Sequence, residues 1–168
     1  SICENATGRP IFAQMIGRDI PNLVRTAKEL AEYPIAGIDL NLGCPAPVVC
    51  RKDAGGGLLR SPEKIHEILG ALRDAVQGRF TVKTRLGYHS PDEFPDLLDV
   101  FSRHAIDGLT IHGRTVTDRY STPVRPNFVK LAVEAMPCPV IANGNVVDPA
   151  TAISFHAQSG AAGLMVGR

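Results

Sequence analysis

The sequence predicts an α/β protein, a parallel sheet wound as a (β/α)8 barrel, and three observations carry that expectation. About six strand-like stretches alternate with helical ones, the pattern of strands joined by right-handed crossovers. Polar residues fall at or just past the C-terminal end of each strand in turn: Gln14, then Asn41 and Cys44, Lys83 and Arg85, His112 and Arg114, Asn143, and Arg168. In a barrel those ends converge on one face, and that face carries the site. A doubly wound open sheet would show a glycine-rich turn after its first strand, and none is present.

Residues 10–17 make the first strand candidate, which ends on Gln14 and Gly17. A helix is predicted over 22–33, with Leu23, Ala27 and Leu30 on one face. The stretch Gly37-Ile38-Asp39-Leu40-Asn41-Leu42-Gly43-Cys44-Pro45 then organises the rest. Its apolar, β-branched approach reads as a buried strand that delivers side chains to a loop. Gly43 lets a ligand approach the backbone and Pro45 stops the strand, which holds Cys44 at a mouth. Asn41 shares a face with Gly43 and offers an amide near the thiol. Taken alone, the pattern also fits an inert cysteine at a strand end. Residues 48–59 read as a flexible loop near the site, because the run Gly55-Gly56-Gly57 lacks the lysine and hydroxyl of a P-loop.

Ser61-Pro62-Glu63 opens a helix with an N-cap, a proline at the first position and an acid in the first turn. Ile65, Ile68, Leu69, Leu72 and Val76 follow at helical spacing. Residues 80–87 form a strand in which Lys83 and Arg85 share one face, Val82 and Thr84 the other. Two cations pointing one way from a buried strand call for an anion. Ser90-Pro91 starts a helix that buries Phe94, Leu97, Leu98 and Phe101, and residues 108–114 form the next strand. A helix over 127–136, a strand over 139–145, a helix opened by Asp148-Pro149 and a strand over 162–168 complete the order.

The chain has 168 residues, 44% hydrophobic and 21% charged, enough to bury the core of one globular domain. A net charge of +1 gives no overall pull toward nucleic acid or membrane, although Arg51, Lys52, Arg60, Arg114, Arg119 and Arg125 leave room for a local basic patch. No apolar run is long enough for a membrane span, there is no signal-peptide layout, and the four cysteines lack disulfide or zinc spacing. A cytoplasmic, metal-free, monomeric protein away from membranes is the expectation. His66, His89, His104 and His156 lack metal-ligand spacing and read as surface or packing residues, and Cys3, Cys50 and Cys138 fit no motif.

Gln14, the Asp39-to-Pro45 stretch, Val82-Lys83-Thr84-Arg85-Leu86-Gly87, His112-Gly113-Arg114-Thr115, Val140-Ile141-Ala142-Asn143-Gly144 and Met165-Val166-Gly167-Arg168 together resemble the tRNA-dihydrouridine synthases. The motifs run in the family's order over nearly the whole chain. The resemblance implies strands three to eight of an FMN-binding barrel spanning residues 1–168, with the family's first two strands, last barrel helix and C-terminal helical domain lying outside this stretch. It implies FMN held by Gln14, Lys83 and His112 along the flavin and ribityl chain, and by Asn143, Gly144, Asn145, Gly167 and Arg168 at its phosphate, where barrels often bind anions. Lys83 near the flavin would stabilise the anionic reduced ring. The reaction implied is reduction of tRNA uridine to dihydrouridine, with NADPH or NADH as electron donor and Cys44 as the acid at C5. A thiol in general titrates near 8.5, so near neutrality it holds a proton to give. Asn41, Arg85, Arg114 and Tyr120 would contact the substrate nucleotide, which must flip out of the tRNA to enter. Two rivals share parts of this pattern. One is an FMN-dependent dihydroorotate or dihydropyrimidine dehydrogenase acting on free bases, the other a non-catalytic RNA- or phosphate-binding barrel.

Overall fold

The computed structural model describes residues 8–167. Strands β1 (Phe12–Met15), β2 (Gly37–Leu42), β3 (Arg79–Arg85), β4 (Gly108–His112), β5 (Val140–Asn143) and β6 (Gly163–Met165) lie side by side in chain order, every adjacent pair parallel. Helices α1 (Ile20–Ala31), α2 (Pro47–Cys50), α3 (Pro62–Ala75), α4 (Phe94–Ser102), α5 (Pro126–Ala135) and α6 (Pro149–Ser159) fill the crossovers. Sequential order with a crossover between every pair of strands is the winding of a barrel, as predicted. Among the described residues β1 and β6 each pair with one strand only, so the sheet is open at both edges.

The two-residue period of a strand sorts the side chains onto two faces. Leu40, Val82, Leu109 and Val140 stand in register across β2 to β5 and are at most 2% exposed. With Leu42, Ile111 and Ala142 they pack on Ile65, Leu69 and Leu72 of α3 and on Leu97 and Phe101 of α4. Burying each such side chain contributes about 1.5–3 kcal/mol, which drives the helices onto this face. The alternate residues point the other way and are mostly polar: Gln14 beside Asp39, Asp39 beside Thr81, Asn41 beside Lys83, Arg85 beside His112, His112 beside Asn143.

Several boundaries differ from expectation for local reasons. Helix α1 starts at Ile20 rather than Asn22, because the Asp19 carboxylate accepts the Asn22 N–H at 3.0 Å and Pro21 fits the first turn. Ser61 stands at the N-cap of α3, yet its hydroxyl makes no capping bond. Ser90 and Asp148 do cap, each within a reciprocal capping box. The largest departure is the segment predicted as a flexible loop. It forms α2 and then a 3₁₀ turn, Gly55–Arg60, in which Gly55, Gly56 and Gly57 are all buried. A Cβ on Gly56 would lie 2.7 Å from a Val116 methyl and 2.8 Å from the Cys44 carbonyl oxygen. These glycines serve close packing behind Cys44. No helix of the described residues is long and apolar enough to cross a membrane.

Candidate functional site

A continuous hydrogen-bond chain runs along the polar face of the sheet from Asp39 to Cys44. Asp39, buried in β2, accepts from Thr81 Oγ1 at 2.7 Å and from Gln14 Nε2 at 2.7 Å. Gln14 Oε1 accepts from Asn41 Nδ2 at 2.9 Å, and Asn41 Oδ1 accepts the backbone N–H groups of Gly43 at 3.0 Å and Cys44 at 2.9 Å. The order of donors has one cause. An ionised carboxylate only accepts, so Asp39 draws the amide nitrogen of Gln14, which turns the Gln14 oxygen to Asn41 and the Asn41 oxygen to the cysteine loop. Both lone pairs of Asn41 Oδ1 are used, and one Nδ2 hydrogen is left. From behind, the Cys50 thiol donates to the Cys44 carbonyl at 3.4 Å. Burial, and then the adjacent Cys44, pushes the Cys50 thiol pKa up, which keeps it a donor.

The next strand ends are built around arginines. Arg85, 6% exposed, donates from Nε to the Gly43 carbonyl at 2.9 Å and from Nη1 to the Thr115 carbonyl at 2.7 Å. The expected anion is therefore replaced by carbonyl dipoles, and the guanidinium ties the cysteine loop to the loop after β4. Lys83 makes no hydrogen bond or ion pair among the described residues. Burial, and then Arg85, holds its pKa below the ordinary lysine range. Arg114, 1% exposed, is fully engaged: Nε donates to the Thr122 carbonyl, Nη2 to Tyr120 O at 2.7 Å and Asn145 Oδ1 at 2.9 Å, and Nη1 faces His112 Nε2 at 3.4 Å. A guanidinium has no lone pair to offer, so His112 Nε2 is the acceptor and Nδ1 carries the imidazole proton. That Nδ1 is buried and has no partner. Burial, with Arg85, Lys83 and Arg114 adding repulsion, lowers the His112 pKa to about 3, so the ring is neutral. Gly144, at φ +117°, passes so close that a Cβ there would lie 2.8 Å from His112 Cδ2.

These strand ends enclose a cavity of about 540 Å³. The expected residues Asn41 and Cys44 of the second strand end border it, as do Lys83 and Arg85 of the third. So do His112, Arg114 and Tyr120 of the fourth, Asn143, Gly144 and Asn145 of the fifth, and Gly167 of the sixth. Gln14 does not border it and acts from the edge strand through Asn41. Arg168 and Cys3 lie outside the described residues. Asp39, Val147 and Met165 were missed by sequence reasoning. For Asp39 a signal existed, an acid between two buried residues, Ile38 and Leu40, on the face that carries Asn41. Val147 and Met165 are apolar wall and carry none. His66 and His104 meet at 3.0 Å, on α3 and just past α4, away from this cavity. Among the described residues no group of three or more His, Cys, Asp or Glu side chains is placed to share a metal ion.

A family model described as dihydrouridine synthase (Dus) matches residues 1–168. A tRNA-dihydrouridine(16) synthase of Neisseria meningitidis is 33% identical over 164 residues, covering 96% of this chain and 49% of that protein. A tRNA-dihydrouridine synthase B of Proteus vulgaris is 37% identical over 157 residues, covering 92% and 48%. The chain thus spans about half the length of the curated relatives it matches. Among solved structures, a mandelate racemase/muconate lactonizing enzyme from Roseiflexus sp. superposes with a TM-score of 0.64 at 16% identity, over 94% of this chain and 40% of that one. An N-acetylneuraminate lyase from Mycoplasma synoviae does so with a TM-score of 0.64 at 15% identity, over 98% and 56%. At such identities the likeness concerns the fold alone.

Proposed function

The chain belongs to the dihydrouridine synthase family, and from that premise we propose that the protein reduces uridine in tRNA to 5,6-dihydrouridine, with Cys44 as the acid. The observation that carries this reading is the placement of Cys44: its loop is fixed by Asn41 at the rim of a cavity whose strand ends bring Lys83 and His112 together.

The cavity residues fit FMN. The His112 Nδ1–H is a buried donor without an acceptor among the described residues, Lys83 makes no hydrogen bond or ion pair there, and Gly144 brings bare backbone against His112 at the cavity wall. Lys83 and His112 would hold the flavin and ribityl chain, Gln14 would support them through Asn41, and Asn143, Gly144, Asn145 and Gly167 would meet the phosphate, together with Arg168. The chemistry FMN supplies when bound is hydride transfer to C6 of the uracil, with NADPH or NADH as the source. Lys83 would stand beside the ring and, when protonated, would offset negative charge on it. A neutral His112 donates one hydrogen bond without adding a second charge.

The Cys44 thiol holds the proton that goes to C5, and its thiolate is then reprotonated from water. Asn41 keeps one amide hydrogen for the uracil edge. Arg85 and Arg114 shape the substrate wall by holding the loops that carry Cys44 and Tyr120, and Tyr120, 59% exposed, stands at the entrance. A uracil stacked inside folded tRNA reaches this depth only when flipped out. Residues 1–168 act, in this reading, as the FMN-binding part of a longer barrel, in which further strands pair along the open edges of β1 and β6.

The test is incubation of the full-length protein with undermodified tRNA and NADPH, followed by digestion and mass spectrometry. Uridine is expected to gain two hydrogens, and Cys44→Ala to lower the rate by about 10²–10⁴-fold, the span typical of losing a general acid. Untouched tRNA together with turnover of a free dihydropyrimidine would transfer the protein to the dehydrogenases.

A further inference from the structure

A second cleft, of about 260 Å³, opens among the segments that follow β2, β3 and β4, and Pro45, the residue after the proposed acid, borders both cavities. Arg51 and Arg60 reach it from the segment after β2, Tyr88 from the loop after β3 and Val116 from the loop after β4. The proposed reaction makes no use of these side chains, and their charges are unusual.

Arg60 is locked in place. It donates to the carbonyls of Gly57 at 3.2 Å and Cys50 at 2.8 Å and to Asp53 at 2.7 Å, and its guanidinium lies 4.4 Å from the centre of the Tyr88 ring. Its Nη1 has no hydrogen-bond partner among the described residues. Arg51 is exposed, and its guanidinium makes no hydrogen bond or ion pair among the described residues. Asp53 is paired with Arg60 and, at 2.8 Å, with Arg18, and neither Arg51 nor Lys52 has an ion pair among the described residues. The other acids nearby are engaged: Glu93 accepts the N–H groups of Tyr88, His89 and Ser90, and Asp118 is held by Arg125 at 2.6 Å. A pinned guanidinium beside a free one is a site for a phosphate oxygen.

A free base in the Cys44 cavity would leave this cleft empty, whereas a base that belongs to a strand brings a phosphodiester with it. We propose that the cleft seats the phosphodiester flanking the target uridine, gripped by Arg51 and Arg60 while the base lies against Cys44. This rests on the tRNA reading above and adds where the strand runs.

The experiment measures binding of undermodified tRNA by the full-length flavoprotein across a salt series, with bound-flavin absorbance as the check on folding. Arg51→Glu is expected to raise Kd at least tenfold near 0.1 M salt and to reduce the slope of log Kd against log salt by about one, the share of one phosphate contact. Lys28→Glu, an equal charge change at an exposed position of α1, is expected to leave the slope unchanged. An Arg51→Glu protein with the same Kd and slope as the unsubstituted one overturns the assignment. So does a rise in KM for NADPH with RNA binding unmoved, which would give the cleft to the dinucleotide phosphate. If the unsubstituted protein modifies tRNA in either case, the functional reading stands and only the cleft is lost. If it neither binds nor modifies tRNA, both fall.

Discussion

Asp39 decides the direction of a hydrogen-bond chain that ends on the backbone of Cys44. Replacing it by its amide tests this, because asparagine can present a donor where the carboxylate presents only acceptors. In Asp39→Asn the Gln14 amide is free to reverse, Asn41 must then reverse with it, and its nitrogen would face the N–H groups of Gly43 and Cys44. The expected result is a fall in kcat of about tenfold or more with a smaller change in KM, as befits a displaced acid rather than a lost binding contact. Gln14→Glu added to Asp39→Asn moves the carboxylate one place along the chain and is expected to recover most of the rate. Equal kcat for Asp39→Asn and the unsubstituted protein would refute the role. Cys44, Lys83, His112 and Asn143 were legible in the sequence because a polar residue at the end of an apolar strand stands out locally. The role of Asp39 was not, because its partners Gln14 and Thr81 come from other strands and only register brings them together.

At the scale of elements, strands and helices were readable because a two-residue or helical period repeats within each one. The 3₁₀ turn Gly55–Arg60 was not. Three successive glycines carry no period, and the reason for them, close contact with Cys44, Cys50 and Val116, lies outside the segment. Gly56→Ala is expected to cost about 1–3 kcal/mol, because the methyl group would have to displace Val116 and the Cys44 carbonyl. For a domain of this size that lowers Tm by about 2–4 °C per kcal/mol. The substitution also pushes on the loop that holds the proposed acid, so activity below Tm is expected to fall with it. A calorimetric scan paired with the tRNA assay checks both, and an unchanged Tm would mean that the turn yields as a loop does.

At the scale of the whole molecule, stability is tied to pH through a buried ring. His112 has a pKa of about 3 when folded, against about 6.5 for an unfolded histidine. Between those values the unfolded chain binds the proton and the folded one does not, so stability is fully present above about pH 6.5 and declines as pH falls. The slope is at most about 1.4 kcal/mol per pH unit, or about 2 kcal/mol from pH 7 to 5. Urea unfolding of flavin-free protein over that range is expected to show this decline, and His112→Gln to flatten it. His104, also lowered, chiefly by burial, adds the same trend to both proteins and cancels in the comparison. Parallel declines would remove His112 as the source. The two-faced sheet has a consequence of another kind. Because Gln14 and Asp39 must be complementary in hydrogen-bonding sense, neither can change alone without cost, although either can change in the company of the other. The two positions therefore behave as one inherited character, and in related proteins an amide facing a carboxylate is expected to persist across β1 and β2 even where the residues bearing them have traded places.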